Sequence, residues 1–247
     1  FNTVLAAIAW IVPKKLLTTS GLIHAWALGI LIWGCLGWQG YTVVMFYFLL
    51  GSAVTKVGIA QKEAEGIAEK RSGARGPENV WGSAFTAALC ALGIWVFTSF
   101  FAPSPSISLM IELLALGYVA SFSTKLADTC ASEIGKAYGK RTFLITTLQP
   151  VPRGTEGAVS LEGTIAGVVA SVAIAVVGWA VGLITTSGIL ICILAAFIAT
   201  TLESVIGATL QTQLKWLTNE LVNVVNTLIG AGAAIAIAIV LQNIGFG

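Results

Sequence analysis

Apolar residues along the chain gather into eight windows, at Phe1–Val12, Gly21–Trp38, Tyr41–Val54, Val80–Phe101, Ile107–Ala127, Ala158–Ile184, Ser187–Ala208 and Leu221–Val240. Most approach the length of about 20 residues that a helix needs to cross a hydrocarbon core. Sustained apolar runs, rather than short alternating ones, fit spanning helices better than a barrel, because backbone in lipid must find its hydrogen bonds within its own segment. The pattern predicts an all-α, polytopic transmembrane helical bundle of about seven or eight helices, one integral membrane domain over residues 1–247. The short third window extends through Thr55–Ala60 if Lys56 snorkels to the interface. Because the chain opens on Phe1 rather than methionine, its first apolar run is expected to be a truncated span or the tail of one.

Composition agrees: 57% of residues are hydrophobic, 10% are charged, and mean hydropathy is +0.91, outside the range of soluble domains. The net charge of +2 says little, whereas the placement of the charges says a great deal. Threading the windows alternately through a bilayer puts all 13 basic residues on one side, from Lys14 and Lys15 to Lys215. Cytoplasm-like faces collect Lys and Arg in this way. The opposite connections, Gln39–Gly40, Ala102–Ser106 and Thr185–Thr186, are short and uncharged. Acidic residues follow the same rule except Glu112, for which a hydrogen bond between helices is expected. The two long connections, 56–79 and 128–157, are therefore the expected functional loops, with the active site at the cytosol-like or stroma-like face. Cys35, Cys90, Cys130 and Cys192 show no metal or disulfide spacing and read as packing residues. His24 reads as interfacial.

Four polar stretches carry candidate chemistry. In "STKLADTCASEIGKAYGK", helical spacing puts Asp128, Ser132, Gly135 and Gly139 on one broad face at the membrane edge. Asp128 either forms an interfacial bond with Ser132 or Lys125, or holds a divalent metal on phosphate oxygens with Glu133, while Lys125 and Lys136 balance phosphate charge. In "QPVPRGTEGAVSLEGTIAG", Gly154 and Gly157 bracket Thr155 and Glu156 before an apolar helix, an anion cradle to which Arg153 adds charge. Its alternative is a loop with Thr155 as N-cap. Glu162, one turn into that helix, is expected to face the site or a cation, and Gly163 and Gly167 form a helix-packing step. In "TKVGIAQKEAEGIAEKRSGARGPENVWG", Lys56, Arg71 and Arg75 suit a triphosphate, with Asn79 at the next helix entrance. The charges from Lys62 to Lys70 read as a solvated face, with Lys62 paired to Glu65 and Glu69 at helical spacing. A Walker A loop is absent. Last, Glu203, Ser204, Gly207 and Gln211 form one stripe, and Glu220, Asn223 and Asn226 or Thr227 another. Either stripe bonds helices together, lines a polar cavity or ligates metal.

Taken together, "SAVTKVGIAQKEAEGIAEKRSGARGPENVWG", "SFSTKLADTCASEIGKAYGK", "TTLQPVPRGTEGAVSLEGT" and "LESVIGATLQ...NELVNVVNT" resemble the membrane-bound phytyl-phosphate kinase family of the tocopherol pathway in plastids and cyanobacteria. "DTCASEIGKAYG" followed by "PRGTEG" is also similar to the CDP-diacylglycerol synthase and dolichol kinase group, which use CTP at the membrane surface. The resemblance implies transfer of the terminal phosphoryl group of a nucleoside triphosphate, with CTP the expected donor, to phytyl or another prenyl phosphate. The product would be phytyl diphosphate for tocopherol or phylloquinone synthesis, made in a cyanobacterial membrane or a plastid envelope or thylakoid. An acceptor phosphate that is already ionised needs no general base, so the carboxylates are assigned to Mg2+ and the basic residues to phosphate. The expected metal set is Asp128 with Glu133, Glu162, Glu220, Asn223 and Asn226. The expected phosphate set is Lys56, Arg75, Asn79, Lys125, Lys136, Arg153 and the turn Gly154, Thr155, Glu156 and Gly157. Two other readings stay open: a CTP-dependent cytidylyltransferase acting on the same lipid phosphate, and an anion transporter, which the uncharged far half disfavours. The expected partners are the bilayer, the prenyl phosphate and the triphosphate, with no nucleic acid; a homodimer is compatible with such a bundle.

Overall fold

Ser and Thr residues stand where most of the helices begin, and they set the frame. The computed structural model describes residues 1–11, 16–211, 213–214 and 216–245. Among these, eight α-helices are formed: α1 (Asn2–Ile11), α2 (Thr19–Thr55), α3 (Ile59–Ala64), α4 (Pro77–Phe100), α5 (Pro105–Tyr138), α6 (Leu161–Ala180), α7 (Thr186–Ile206) and α8 (Asn219–Asn243). Thr18, Ser104, Ser160, Thr185 and Thr218 each accept a hydrogen bond from the backbone N–H three residues on, closing the first turns of α2, α5, α6, α7 and α8. That bond satisfies a donor the helix itself leaves open. A 3-10 turn covers Lys70–Gly73, and a π-helical turn at Gly207–Gln211 continues α7. Six of the helices are long and apolar enough to cross a membrane.

The longest of them is two arms. Gly37 adopts φ 62° and ψ −154°, outside helical space, and the chain turns back there. A Cβ at Gly40 would lie 3.2 Å from Ile32, and both ends of α2 meet one residue: a Cβ at Gly21 would stand 2.3 Å from the Arg75 carbonyl oxygen, and one at Gly51 2.8 Å from its guanidinium. A straight helix would hold Gly21 and Gly51 about 45 Å apart. The two-window expectation is met, with the reversal at Gly37 rather than at Gln39–Gly40. α1 lies across both arms, its Asn2 donating to the Trp26 carbonyl oxygen and accepting from the Tyr41 hydroxyl, each at 2.8 Å.

α5 is the axis of the bundle. It packs against α2, α4, α6, α7 and α8, and every residue from Ala115 to Asp128 is buried. The closest neighbour is α6, because Gly163 and Gly167 let the backbones meet: Cβ atoms there would come within 2.5 Å of the Ala131 carbonyl oxygen and 3.0 Å of that of Ala127. The expected packing step is thus present. α5 continues to Tyr138, so the first part of the 128–157 segment is helix rather than loop. Beyond it the chain forms a small antiparallel ribbon, β1 (Thr142–Leu144) paired with β2 (Ala158–Ser160), which the all-helical pattern does not predict. Glu112 also departs from expectation. Its side chain, in the third turn of α5, is exposed instead of bonded between helices.

One end of the bundle gathers residues 56–76, 139–160, 207–211, 213–214 and 216–218, and with them the described Lys and Arg residues. Lys14, Lys15 and Lys215 lie outside the described residues. The other end holds the reversal at Gly37 and the short connections at 101–104 and 181–185.

Candidate functional site

A lysine and an aspartate one helical turn apart interrupt the apolar axis helix, and both are buried. Lys125 Nζ donates to Asp128 Oδ2 at 2.5 Å and to Asn223 Oδ1, on the second turn of α8, at 2.7 Å. The Glu203 carboxyl, on α7, stands beside Asp128 in the lining of the same cleft. Charges taken out of water at the edge of an apolar bundle are costly unless paired, and such residues mark functional sites. These groups form the floor of a cleft of about 680 Å³ that reaches the charged end of the bundle.

A second wall is built around Arg75. Its backbone is tied to the segment before α2, Arg75 N donating to the Leu16 carbonyl oxygen and Thr18 N to the Arg75 carbonyl oxygen, both at 3.0 Å. Its guanidinium donates to the Tyr47 hydroxyl at 2.8 Å and lies 5.2 Å and 5.9 Å from the ring centres of Tyr47 and Phe48. Gly51 leaves the room for it. An arginine held by rings and a hydroxyl is oriented in advance for an anion. Arg71 pairs with Glu78 and also donates to Asn79 Oδ1 at 3.2 Å, while that same oxygen caps α4 by accepting Gly76 N at 3.0 Å. Asn79 is thus a helix cap that borders the cleft.

Glu133 lines the cleft but belongs to a different network from Asp128. It is buried and ion-paired with Lys62, whose ammonium also donates to the Thr55 carbonyl oxygen at 2.8 Å, and its other oxygen is 3.7 Å from Lys136 Nζ. A spacing of five residues places Glu133 on a different side of α5 from Asp128, and its oxygens face Lys62 and Lys136. One expectation is corrected. Lys62 is fully buried instead of part of a solvated face, because α3 ends at Ala64 and gives it no helical partner in Glu69.

The glycine turn, expected as an anion cradle, is a structural seat. Gly154 and Gly157 have φ of 82° and 76°, and both press on neighbouring elements: a Cβ at Gly157 would come 2.6 Å from the Ser204 carbonyl oxygen, and one at Gly154 2.6 Å from Ile67. Thr155 donates to the Pro152 carbonyl oxygen at 2.8 Å and caps nothing; Ser160 is the cap of α6, because β2 stands between the turn and the helix. Gly135 and Gly139 likewise accommodate Ser160.

The structure brings Arg75, Asn79, Lys125, Asp128, Glu133, Lys136, Gly154, Thr155, Glu156, Gly157, Glu220 and Asn223 to this one cleft. Four expected residues stand elsewhere. Lys56 is the exposed residue closing α2. Arg153 is at the rim, its guanidinium 2.6 Å from Glu65 and 3.4 Å from the Ala137 carbonyl oxygen. Glu162 sits in the first turn of α6, where a helix N-terminus favours a carboxylate. Asn226 is fully buried one turn beneath Asn223, its amide without a partner among the described residues. Tyr47 and Lys62 are not among the expected site residues, and Glu203 is expected only as part of a polar stripe that bonds helices, lines a cavity or ligates metal; a lone glutamate in an otherwise apolar α7 is its signal.

No group of three His, Cys, Asp or Glu side chains suited to a metal occurs among the described residues. Asp128, Glu203 and Asn223 nevertheless offer two carboxylates and an amide oxygen together. Mg2+ accepts such a set, since it takes one or two carboxylates and completes its shell with phosphate and water oxygens.

Fold and cleft define a polytopic helical membrane protein with a charged pocket sunk into one face. The chain belongs to the DUF92 family of integral membrane proteins, whose model matches residues 2–231. It is 66% identical to an uncharacterized membrane protein of Synechocystis sp. over 96% of this chain and 88% of that one. It is 47% identical to protein VTE6, chloroplastic, of Arabidopsis thaliana over 92% of this chain and 67% of that one. An uncharacterized membrane protein of Methanocaldococcus jannaschii is 28% identical over 92% of this chain and 88% of its own. No solved structure matches the chain.

Proposed function

We propose that the protein is an Mg2+-dependent lipid-phosphate kinase that moves the terminal phosphoryl group of CTP to phytyl phosphate. The observation that carries this reading is the position of the cleft, with Lys125, Lys136 and Arg75 interleaved with Asp128 and Glu203 at the charged end of an apolar bundle. Asp128 lies about 35 Å along α5 from Pro105, against a hydrocarbon core of about 30 Å, which is the depth of a lipid headgroup. A phosphate there keeps its prenyl chain in the bilayer. The likeness to VTE6 agrees with a plastid-type membrane pathway, and the motif resemblance narrows it to tocopherol synthesis. With the basic residues on the cytosol or stroma side, the triphosphate arrives from that compartment.

In this reading an oxygen of the acceptor phosphate attacks the terminal phosphorus of CTP. The bond to the β–γ bridging oxygen breaks, and its electron pair leaves with CDP. Lys125, Lys136 and Arg75 offset the repulsion between donor and acceptor and hold them in line. Asp128 and Glu203, with Asn223 beside them, would hold Mg2+, which supplies charge neutralisation on the phosphate oxygens when bound. The apolar helices below exclude water, which keeps the phosphoryl group from hydrolysis.

The test uses purified protein in detergent with Mg2+, phytyl phosphate and CTP, products resolved by mass. Phytyl diphosphate with CDP is the expected outcome. Pyrophosphate with a CDP-linked lipid would overturn it in favour of a cytidylyltransferase, and uptake by proteoliposomes without nucleotide turnover would favour a transporter.

A further inference from the structure

Lys62 lies on a short helix outside the spanning segments, yet its side chain is fully buried. Its ammonium is divided between the Thr55 carbonyl oxygen, at the last residue of α2, and Glu133 on α5. The opposite oxygen of Glu133 faces Lys136, whose ammonium, 3.7 Å away and about one-quarter exposed, stands in the cleft wall. The backbone of Lys62 is engaged as well. α3 closes with Gly66 at φ 71°, and Ile67 N donates to the Lys62 carbonyl oxygen at 2.9 Å while Gly66 N donates to that of Glu63 at 3.1 Å. This closure fixes Ile67 one turn beyond Lys62. Ile67 is the side chain on which Gly154 of the cleft turn rests.

The structure assigns Lys62 and Glu133 a positioning role in phosphate binding: the buried pair aims Lys136 into the cleft and seats the Gly154–Gly157 turn at its rim. This rests on the phosphotransfer reading for the identity of the ligand. Two features separate the pair from a plain strut. Glu133 uses one oxygen on each lysine, so loss of Lys62 frees it to collapse on Lys136 and draw that ammonium out of the cleft. Lys62 also holds elements from both sides of the cleft, through α5 on one side and through Ile67 under the ribbon turn on the other.

The experiment measures inorganic tripolyphosphate binding, with Mg2+, to the purified full chain in detergent by calorimetry, together with thermal unfolding. The Lys62→Met/Glu133→Leu double variant replaces the ion pair by apolar groups of similar size, a change that folded proteins often tolerate. It is expected to unfold within a few degrees of wild type and to bind tripolyphosphate about tenfold more weakly. Adding Lys136→Met to it should weaken binding no further, although Lys136→Met alone costs the same factor in wild type. Wild-type affinity in the double variant, or a full Lys136→Met effect in that background, would overturn the assignment. If the double variant does not fold, Glu133→Gln takes its place, being isosteric; it is expected to weaken binding about tenfold, and unchanged binding would sink the idea. Wild type that binds tripolyphosphate but does not turn over CTP would count against the kinase reading and leave this assignment standing.

Discussion

Two buried ion pairs stand on α5, Lys125–Asp128 and Lys62–Glu133, and they differ in what each leaves open. At the first, Asp128 faces Glu203 and Lys125 faces Asn223, so every partner is itself a polar side chain of the cleft. At the second, the ammonium is closed off by a backbone carbonyl and a buried carboxylate, and only Glu133 looks outward, through Lys136. Burial alone shows that a charge is held. The company of each partner separates a charge surrounded by other cleft side chains from one closed off by the fold.

Substitutions can break or sharpen that contrast. The largest effect on turnover is expected from Asp128→Asn, a loss of phytyl diphosphate formation of about a thousandfold with a smaller loss of stability than Lys62→Met, because the amide oxygen can still accept from Lys125 while the site loses its charge. Equal losses in turnover and in unfolding temperature would make Asp128 a strut like Glu133. Lys62→Met alone should have the largest effect on stability, about 3–5 kcal/mol by denaturant or thermal unfolding, since it leaves Glu133 buried without its main partner. Glu203→Gln should raise the Mg2+ concentration for half-maximal activity by about tenfold to a hundredfold with little change in stability. Ser160→Ala removes the cap of α6 and should cost about 1 kcal/mol. Lys56→Ala, at the exposed end of α2, should stay within about 0.5 kcal/mol of wild type and keep its activity.

The layers of this molecule are legible in the sequence to different degrees. Topology is readable because it depends on two one-dimensional signals, the length of the apolar runs and the side on which Lys and Arg fall. The Asp128 and Lys125 neighbourhood is readable because both residues share one helix turn. Lys62 misleads, since the helical pairing rule assumes an α3 long enough to include Glu69, while its partner Glu133 lies 71 residues on. Lys56, six residues earlier, has the same local claim to a phosphate and is exposed. Glu203 stands out as an acid in an apolar helix, but spacing gives a face and not the neighbour opposite. The glycines of "PRGTEG" mark a turn, and both have positive φ; that Gly157 makes room for α7 is a fact of packing that no local pattern encodes. The ribbon of β1 and β2 escapes sequence reading because three-residue strands leave no periodicity to detect.

The place of α5 at the centre of the bundle has a consequence for how the chain is made. When α5 emerges during synthesis, the helices bearing Glu203 and Asn223 do not yet exist, and the polar turn must enter the membrane without them. Lys125 and Asp128 are three residues apart on one helix, so they can neutralise each other before any neighbour arrives. The helix thus brings its own counter-ion to the membrane edge when it inserts, and the later helices inherit a pair already formed.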